Sequence, residues 1–480
     1  MPCTTILVGK KASIDGSTMI ARNDDGRFDT KKCVVVTPEK QPRVYTSKIA
    51  HLKIELPDNP LSYTATPNVT QTKGVWAANG INAANVGMTA TETTTSNPRV
   101  MGADPYVERT EKNPGGLGEE DLVVLVLPYI RSAREGVLRL GALLEQYGTY
   151  EPNGIAFNDE NEVWWLETIG GHHWIARKVK DEEYVIMPNQ FGLDVFDMDD
   201  AFGEQKENLC SKDLREFIAI NRLDANQNGK FNPRHVFGSH SDADHVYNTP
   251  RAWFMARYFN PRTYKFDGEN ADFTPESDDI PWALVPEKKI GVDEVKYILS
   301  SYFQGTPYNP YANGKDPRKG MYRSIGINRT SVMAILQIRP YVEDALKGVE
   351  WLCFSSNAFN APIPLYVNVP SLPKYVSSTT EEIDASKFYW ASRLIGVLTD
   401  ASYGTSIIHI ERYQNGCLND GHHHLIEWDK KYSESKDPKV LVEANETICK
   451  IIKKRTDKTL RLVLEEASFG MKNGYQRFDN

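Results

Sequence analysis

Several features that would identify a class of protein are missing from this sequence. It has no run of about 18 apolar residues, the length that a membrane-spanning helix needs. Its first residues lack the basic segment and apolar run of a secretory signal. Lysine and arginine total 56 against 64 acidic residues, so no basic excess is available to bind nucleic-acid phosphates. We therefore expect neither a membrane nor a nucleic-acid partner.

Cysteine is also scarce, and its six positions show no CxxC spacing. The positions are Cys3, Cys33, Cys210, Cys353, Cys417 and Cys449. This scatter predicts thiols in a reducing compartment rather than a disulfide framework. We expect a cytoplasmic protein.

Two segments carry residues typical of metal sites but lack part of the pattern. The run from Asp224 to Gly229 copies the first half of a calcium loop, yet its twelfth position is His235, where a bidentate glutamate is required. Three consecutive histidines at 422–424 would point to opposite faces of a strand, and a polar loop is the expected structure. We therefore expect no metal and no organic cofactor.

The sequence does contain 480 residues of ordinary composition, which is enough for a large core and, by length, two or three domains. Helical periodicity covers residues 119–148, where Pro128 should break the helix and Ser132 should cap the second half. Alternating strands are predicted over 154–158, 163–168, 174–179 and 184–187. Further helices are predicted near 211–222, 292–302, 329–347, 386–400 and 438–466. These patterns indicate the α+β class.

Two segments before residue 119 carry turn chemistry. Residues 57–73 contain three prolines and several polar residues, which predicts an irregular connection. Residues 74–93 predict a strand, a turn at Asn79-Gly80 and a second strand. Asn82 and Asn85, beyond that turn, are interpreted as residues that tolerate positive φ.

The start of the chain is its most informative part. Residues 3–8 and 17–22 are rich in β-branched and apolar side chains, with Asp-Gly turn chemistry between them, which predicts a β-hairpin. If Val8 faces Ser17, antiparallel pairing places Cys3 opposite Arg22, with Asp25 in the next loop. An arginine beside a cysteine favours the thiolate, so the thiol pKa should fall below its usual value of about 8.5.

Removal of Met1 and Pro2 would make Cys3 the N-terminal residue. Its α-amine, with a pKa of roughly 7.7 to 8, would then lie within reach of its own sulfur. One residue would supply both the nucleophile and the general base, which is the N-terminal nucleophile arrangement. From position alone, the alternative is a small apolar cysteine that begins a buried strand.

Motifs over most of the first 370 residues are similar to those of one enzyme family. In order they are CTTILVG, DGSTMIARNDD, GVWAANGINAANVGMTATET, GGLGEEDLVVLVLPYIRSAREGV, LLEQYG, ENEVWWLETIGGHHWIARKV, YVIMPNQF and PIPLYVNV. Together they resemble the cysteine dipeptidase family, of the dipeptidase A type, within the N-terminal nucleophile hydrolases. The resemblance implies a four-layer α-β-β-α sandwich with additional helices and loops. It also implies hydrolysis of the peptide bond of dipeptides by Cys3 after removal of Met1-Pro2.

The same resemblance implies roles for particular residues. The more distant choloylglycine and penicillin V acylases carry an Arg-Asn-x-Asp run after the nucleophile, and here the matching positions are Arg22 and Asp25. Asn189 ends the fourth predicted strand, where those acylases place a side-chain amide that donates to the oxyanion. Losing one such donor costs about two to three orders of magnitude in rate.

Two further positions stay open at this stage. The second strand of the 74–93 segment, which supplies a backbone amide to the oxyanion in the acylases, ends here near Thr91-Glu92, where they carry an asparagine. Arg323 and Arg329 both fall where relatives place an arginine near the nucleophile, and the sequence does not choose between them.

For the whole chain, we expect residues 1–370 to form the catalytic domain, with an elaborating insertion around 205–310. Residues 371–480 should form a mainly helical part that packs on the core or at a subunit interface, so a homo-oligomer is expected. Two alternatives remain for the function. One is an acylase or amidase of the same machinery that acts on non-peptide amides, and the other is a non-catalytic binding protein of the same fold. A metallopeptidase is the weakest alternative.

Overall fold

A computed structural model describes residues 3–26, 29–227 and 229–472, and these residues form an α+β protein. The strands are β1 (Cys3–Val8), β2 (Thr18–Asp24), β3 (Val34–Val36), β4 (Val44–Thr46), β5 (Lys53–Glu55), β6 (Tyr63–Ala65), β7 (Asn79–Ile81), β8 (Gly87–Thr89), β9 (Gly154–Asn158), β10 (Val163–Ile169), β11 (His173–Val179), β12 (Tyr184–Met187), β13 (Asn208–Cys210), β14 (Ala283–Leu284), β15 (Val332–Ile338), β16 (Gly348–Phe354) and β17 (Ile363–Tyr366). The α-helices are α1 (Pro98–Ala103), α2 (Glu119–Val126), α3 (Ala133–Tyr147), α4 (Met198–Phe202), α5 (Leu214–Ile220), α6 (Pro233–Phe237), α7 (Asp244–Tyr247), α8 (Thr249–Phe259), α9 (Val292–Leu299), α10 (Asp344–Lys347), α11 (Lys374–Ser377), α12 (Phe388–Ala401), α13 (Tyr403–Ser435) and α14 (Lys439–Phe469).

The described residues form two large sheets. One has seven strands in the order β14-β12-β1-β2-β15-β16-β17, and the other has six in the order β13-β11-β10-β9-β8-β7. The chain start therefore lies inside the larger sheet, because β1 pairs with β2 on one side and β12 on the other. The strands predicted over residues 154–179 lie together in the smaller sheet, whereas the fourth, β12, crosses to the larger one. This crossing brings Asn189, two residues after β12, beside Cys3.

The predicted hairpin at the chain start is present, but its register was wrong by two residues. Cys3 pairs with Asp24 rather than with Arg22. Asp15 accounts for the difference, since its Oδ1 accepts hydrogen bonds from the backbone and the hydroxyl of Ser17 and holds that residue in the turn. Strand side chains alternate with a period of two, so the shift leaves Arg22 on the face that carries Cys3.

Among the described residues, the hydrophobic core divides into three clusters of buried side chains. One contains residues of both large sheets, such as Leu7, Leu336 and Trp165. A second joins α2 and α3 to the smaller sheet. The third joins α8, α9 and α12 to α14 to the larger sheet. Both sheets are therefore buried on their two faces.

The helical prediction over residues 119–148 is confirmed. The chain forms α2, a short 3-10 helix at Leu127–Tyr129 and α3, so the break falls at Pro128. Ser132 caps α3 by accepting a hydrogen bond from the Glu135 amide, and Gly148 ends it with φ of 67°. No helix in the described part of the chain is both long and apolar enough to cross a membrane.

Several other predictions were wrong. The helix predicted over 329–347 contains the strand β15, and only its last four residues are helical, as α10. All seven residues of β15 are buried, so the sequence shows no alternation that would separate it from a buried helix. The histidines at 422–424 lie in α13, not in a loop. Asn79-Gly80 belongs to β7, and the turn follows at Asn82 to Val86, where Asn85 has a φ of 58°. The irregular connection at 57–73 includes the short strand β6.

Candidate active site

Cys3 is fully buried, but polar groups surround its sulfur. Arg22 lies diagonally across the hairpin, and its Nη2 donates to Cys3 Sγ at 2.8 Å. The same Nη2 donates to Glu119 Oε1 at 2.5 Å. Glu119 is the first residue of α2, and its amide donates to the Glu151 carboxylate at 2.7 Å. The thiol, the guanidinium and this helix start are therefore in direct contact.

Cys3, Asp24 and Glu119 form a group that could hold a metal ion, because one ligand atom of each lies within 4.8 Å of the others. Arg22 already lies between them, since its Nη2 is 2.8 Å from the sulfur, 2.5 Å from Glu119 and 3.8 Å from Asp24 Oδ1. Asp24 Oδ2 has a second cation, Lys31 Nζ, at 2.9 Å. A metal ion at this position would have to displace a buried guanidinium.

The electrostatics of the thiol differ from the expectation. Burial raises the pKa of the Cys3 thiol, and the neighbouring carboxylates of Glu92, Glu119 and Asp24 raise it further, so that Arg22 lowers it only in part. The predicted net decrease in the thiol pKa was therefore wrong. The hairpin motif contained Arg22 and Asp24, but it did not show that Glu92 and Glu119 approach the same sulfur. The buried thiol therefore needs a base to remove its proton.

Asn189 contacts the backbone nitrogen of Cys3. The Cys3 backbone nitrogen donates to Asn189 Oδ1 at 3.1 Å. Asn189 Nδ2 donates to Glu92 Oε1 at 2.7 Å and to the Thr93 carbonyl at 3.2 Å. The sulfur and the nitrogen of Cys3 are thus each bound by a separate buried side chain.

Glu92 contributes its side chain to the site, while its backbone amide is engaged elsewhere. That amide donates to the Gly154 carbonyl at 2.7 Å, so a bridge to β9 occupies the donor that the acylase resemblance suggested for this position. The Glu92 carboxylate also accepts a hydrogen bond of 2.8 Å from Thr5 Oγ1. Burial raises the pKa of Glu92 to about 7, although Arg251 and Arg22 oppose the increase.

Asp25 is fully buried and is bound by an arginine and a threonine. Its Oδ2 forms an ion pair with Arg323, and its Oδ1 accepts a hydrogen bond of 2.6 Å from Thr330. Arg323 Nη1 also lies 3.3 Å from Thr4 Oγ1, next to Cys3 in the chain. Of the two arginines left open by the sequence, Arg323 is therefore the one paired with Asp25.

Arg251, in α8, was not identified from the sequence. Its side chain is fully buried and donates to the Cys3 carbonyl, to Thr4 Oγ1 at 2.6 Å and to Asn189 Oδ1 at 2.9 Å. Burial, followed by the nearby Arg323, lowers the pKa of Arg251 to about 9. The sequence around Arg251 is an ordinary amphipathic helix, and no motif in it indicates this contact.

Glu119 was missed for a different reason. Three acids, at 119 to 121, open a helix, and acidic residues are common there because they interact favourably with the helix dipole. One feature of the sequence did indicate that Glu119 is buried. The three acids precede a wholly apolar run, and such a run predicts a helix that is buried on every side.

Comparisons with known proteins identify the family. A model of peptidase family C69 matches residues 2–416. The chain is 48% identical to a dipeptidase of Bifidobacterium longum, with all of both chains covered. It is 46% identical to a probable dipeptidase A of Streptococcus pyogenes serotype M3, again over all of both chains, and 42% identical to dipeptidase A of Lactobacillus helveticus over 99% of each. With its buried Cys3 held at both the sulfur and the nitrogen, this chain belongs to peptidase family C69.

Proposed function

We propose that this protein is a cysteine dipeptidase and that the Cys3 thiol is its nucleophile. The observation that carries the proposal is the pair of contacts to one residue, from Arg22 to the sulfur at 2.8 Å and from the nitrogen to Asn189 at 3.1 Å. Relatives at 42 to 48% identity with dipeptidase in their names support the substrate class.

The nitrogen of Cys3 becomes an α-amine when Met1 and Pro2, which lie outside the described residues, are removed. This amine takes the thiol proton, and the thiolate attacks the carbonyl carbon of the dipeptide. The tetrahedral intermediate collapses to a thioester as the amine returns the proton to the leaving amino group. Water, deprotonated by the same amine, then attacks the thioester, and the second amino acid and the free thiol are released.

The surrounding residues stabilise charge during these steps. Arg22 balances the thiolate that forms in the buried site, and the ion pair of Asp25 with Arg323 supports the backbone next to Cys3. Asn189 holds the amine through Oδ1. One Nδ2 hydrogen of Asn189 is directed to the Thr93 carbonyl, in the longest of the four hydrogen bonds of this carboxamide. This hydrogen is the proposed donor to the oxyanion.

We propose that the fold is the four-layer α-β-β-α sandwich of N-terminal nucleophile hydrolases. The core cluster shared by the two large sheets supports the two inner layers. The clusters that join α2 and α3 to one sheet and α8, α9 and α12 to α14 to the other support the outer layers.

We also propose the division into a catalytic domain at 1–370, with an insertion around 205–310, and a helical part at 371–480. The long helices α12 to α14 in the second part support this boundary. Exposed apolar residues on α13 and α14, such as Ile426 and Leu464, support a homo-oligomer. The six cysteines, all in the described part of the chain, form no disulfide with one another, which supports a cytoplasmic location.

Two measurements test the function. Mass spectrometry of active enzyme should show a chain that begins at Cys3, and Cys3→Ala should fold normally but hydrolyse no dipeptide. A fully active chain that retains Met1 and Pro2 would contradict the amine mechanism. Faster hydrolysis of acyl amides than of dipeptides would instead identify an acylase, and a Cys3→Ala variant with unchanged biological activity would identify a binding protein.

A further inference from the structure

The Glu92 carboxylate takes no part in the bond-making steps above, yet it is fully buried beside Asn189. Its Oε1 accepts from Asn189 Nδ2 at 2.7 Å, and its Oε2 accepts from Thr5 Oγ1 at 2.8 Å. One oxygen is therefore bound by the residue that holds the Cys3 nitrogen. The other is bound by the strand that carries Cys3.

The Asn189 carboxamide has a different set of neighbours on each side. Its oxygen faces two donors, the Cys3 nitrogen and Arg251 Nη2, and its nitrogen faces two acceptors, Glu92 Oε1 and the Thr93 carbonyl. A rotation of the carboxamide by 180° would place donors against donors and an oxygen against a carboxylate. Such an arrangement would break all four of these hydrogen bonds.

We propose that Glu92 is a positioning residue, which fixes the Asn189 carboxamide so that Oδ1 holds the Cys3 amine and Nδ2 faces the carbonyl under attack. The inference rests on the proposed function, since it assigns Glu92 a part in the same reaction. Above pH 7, where the variants are to be compared, the Glu92 side chain is a carboxylate that only accepts hydrogen bonds. A glutamine side chain also donates and would be compatible with the rotated carboxamide.

Glu350 provides a matched control for the loss of a buried carboxylate. It is also fully buried, its Oε1 accepts from Asn79 Nδ2 at 2.6 Å, and its Oε2 accepts from Thr64 Oγ1 at 2.8 Å. These two partners belong to β7 and β6. Glu92→Gln and Glu350→Gln therefore make the same chemical change at two fully buried carboxylates that each bind an asparagine and a threonine.

The first experiment compares the steady-state kinetics of these two variants on one dipeptide, with the processed full-length enzyme. We expect Glu92→Gln to lower kcat by about 30- to 100-fold, as misplaced catalytic groups do, with KM within about twofold. Glu350→Gln should leave kcat and KM close to wild type. Equal losses of kcat in both variants would overturn the proposal, because they would show a general effect of buried charge.

The second experiment asks whether Glu92 acts through Asn189. In an Asn189→Ala background, adding Glu92→Gln should change kcat by less than about twofold, because coupled residues are not additive. The full loss in both backgrounds would overturn the proposal. If Glu92→Gln does not fold, Thr5→Val tests the same point by freeing the other carboxylate oxygen, and it should lower kcat severalfold only when Asn189 is present.

The experiments distinguish a failure of the positioning role from a failure of the proposed function. If the wild-type chain shows no dipeptide hydrolysis that depends on Cys3, the function itself is wrong. If hydrolysis depends on Cys3 and on Asn189 but not on Glu92, only the positioning role is wrong.

Discussion

Two buried groups of this protein contain the same four residue types in different electrostatic surroundings. The Cys3 cluster consists of Cys3, Thr5, Glu92 and Asn189. The Cys33 cluster consists of Cys33, Thr64, Asn79 and Glu350. In both, burial raises the pKa of the thiol and of the glutamate. A raised pKa therefore does not by itself distinguish a reactive site from a structural one.

The difference lies in what each cysteine contacts. Cys33 Sγ donates to the Glu350 carboxylate at 3.8 Å, and its backbone nitrogen donates to the Val376 carbonyl, so it stays a thiol within the chain. Cys3 Sγ instead accepts from the Arg22 guanidinium, and its nitrogen is held by a side chain. A cation beside the sulfur, and a backbone nitrogen positioned by the Asn189 side chain, are the features that suit Cys3 to nucleophilic chemistry.

The largest expected effect separates the two cysteines directly. Cys3→Ser should lower kcat/KM by at least about 10³-fold, because an alcohol is a much weaker acid than a thiol in the same site. Cys33→Ser should stay within about threefold of wild type. Steady-state hydrolysis of one dipeptide measures both, and equal losses would remove the distinction between the clusters.

Arg22, the cation beside the Cys3 sulfur, gives the next largest effect. Arg22→Ala should lower kcat/KM by about 10²- to 10³-fold, since it removes a preorganised charge beside the thiolate. It should also destabilise the fold by about 3 to 5 kcal/mol, because it removes a buried cation that contacts Glu119 and Asp24. Arg22→Lys is the control, and it should recover part of the stability. An active Arg22→Ala enzyme would contradict the role assigned to this residue.

The pH dependence of the free energy of unfolding should show the raised glutamate pKa that the two clusters share. The pKa of Glu92 rises from 4.5 to about 7 on folding, so the folded protein retains a proton that the unfolded chain releases between these values. The stabilising contribution is present below pH 4.5 and is lost as the pH rises through 7, a change of about 3 kcal/mol.

Glu92→Gln should therefore flatten the decline of the free energy of unfolding over this pH range. Glu350→Gln should flatten it in the same direction, because burial also raises the Glu350 pKa. Urea denaturation at a series of pH values between 4.5 and 8 measures these slopes. A Glu92→Gln variant with the wild-type slope would show that this carboxylate is ionised throughout.

The smallest effect is expected from chelation. Arg22 lies where the ligand atoms of Cys3, Asp24 and Glu119 converge, and it supplies the positive charge beside the sulfur. EDTA should therefore leave kcat/KM unchanged. Inhibition that zinc reverses would identify a metallopeptidase and would give the Cys3 cluster a different chemistry.

The elements that the sequence predicted well depend on local patterns. The hairpin, the helix break at Pro128 and the strands between 154 and 187 follow from turn residues, caps and alternation over fewer than ten residues. β15 is buried on both faces, as β9 and β10 are, and it was mistaken for a helix because its residues 333–337 are mostly good helix formers. The register of the hairpin was missed because a side chain in the turn, Asp15, determines it.

Residues of the site could be predicted only where they belong to a sequence motif or lie on neighbouring strands of one hairpin. Cys3 and Arg22 come from one hairpin, and the structure brings their side chains into contact. Three other residues of the site are distant in sequence from the hairpin residues that they contact. Glu92 lies 87 residues from Thr5, Glu119 lies 97 residues from Arg22, and Arg251 lies 248 residues from Cys3. Such contacts depend on how the two sheets and α8 pack, which no local pattern encodes.

The position of β1 between two partner strands has a consequence for turnover. Chain termini usually fray, but a processed terminus at Cys3 would pair with Asp24 of β2 on one side and hydrogen-bond to the Asn189 side chain on the other. The distance between base and nucleophile would then stay constant from one catalytic cycle to the next. The ordering entropy of that pair is lost once, when the polypeptide folds, and not each time a substrate binds.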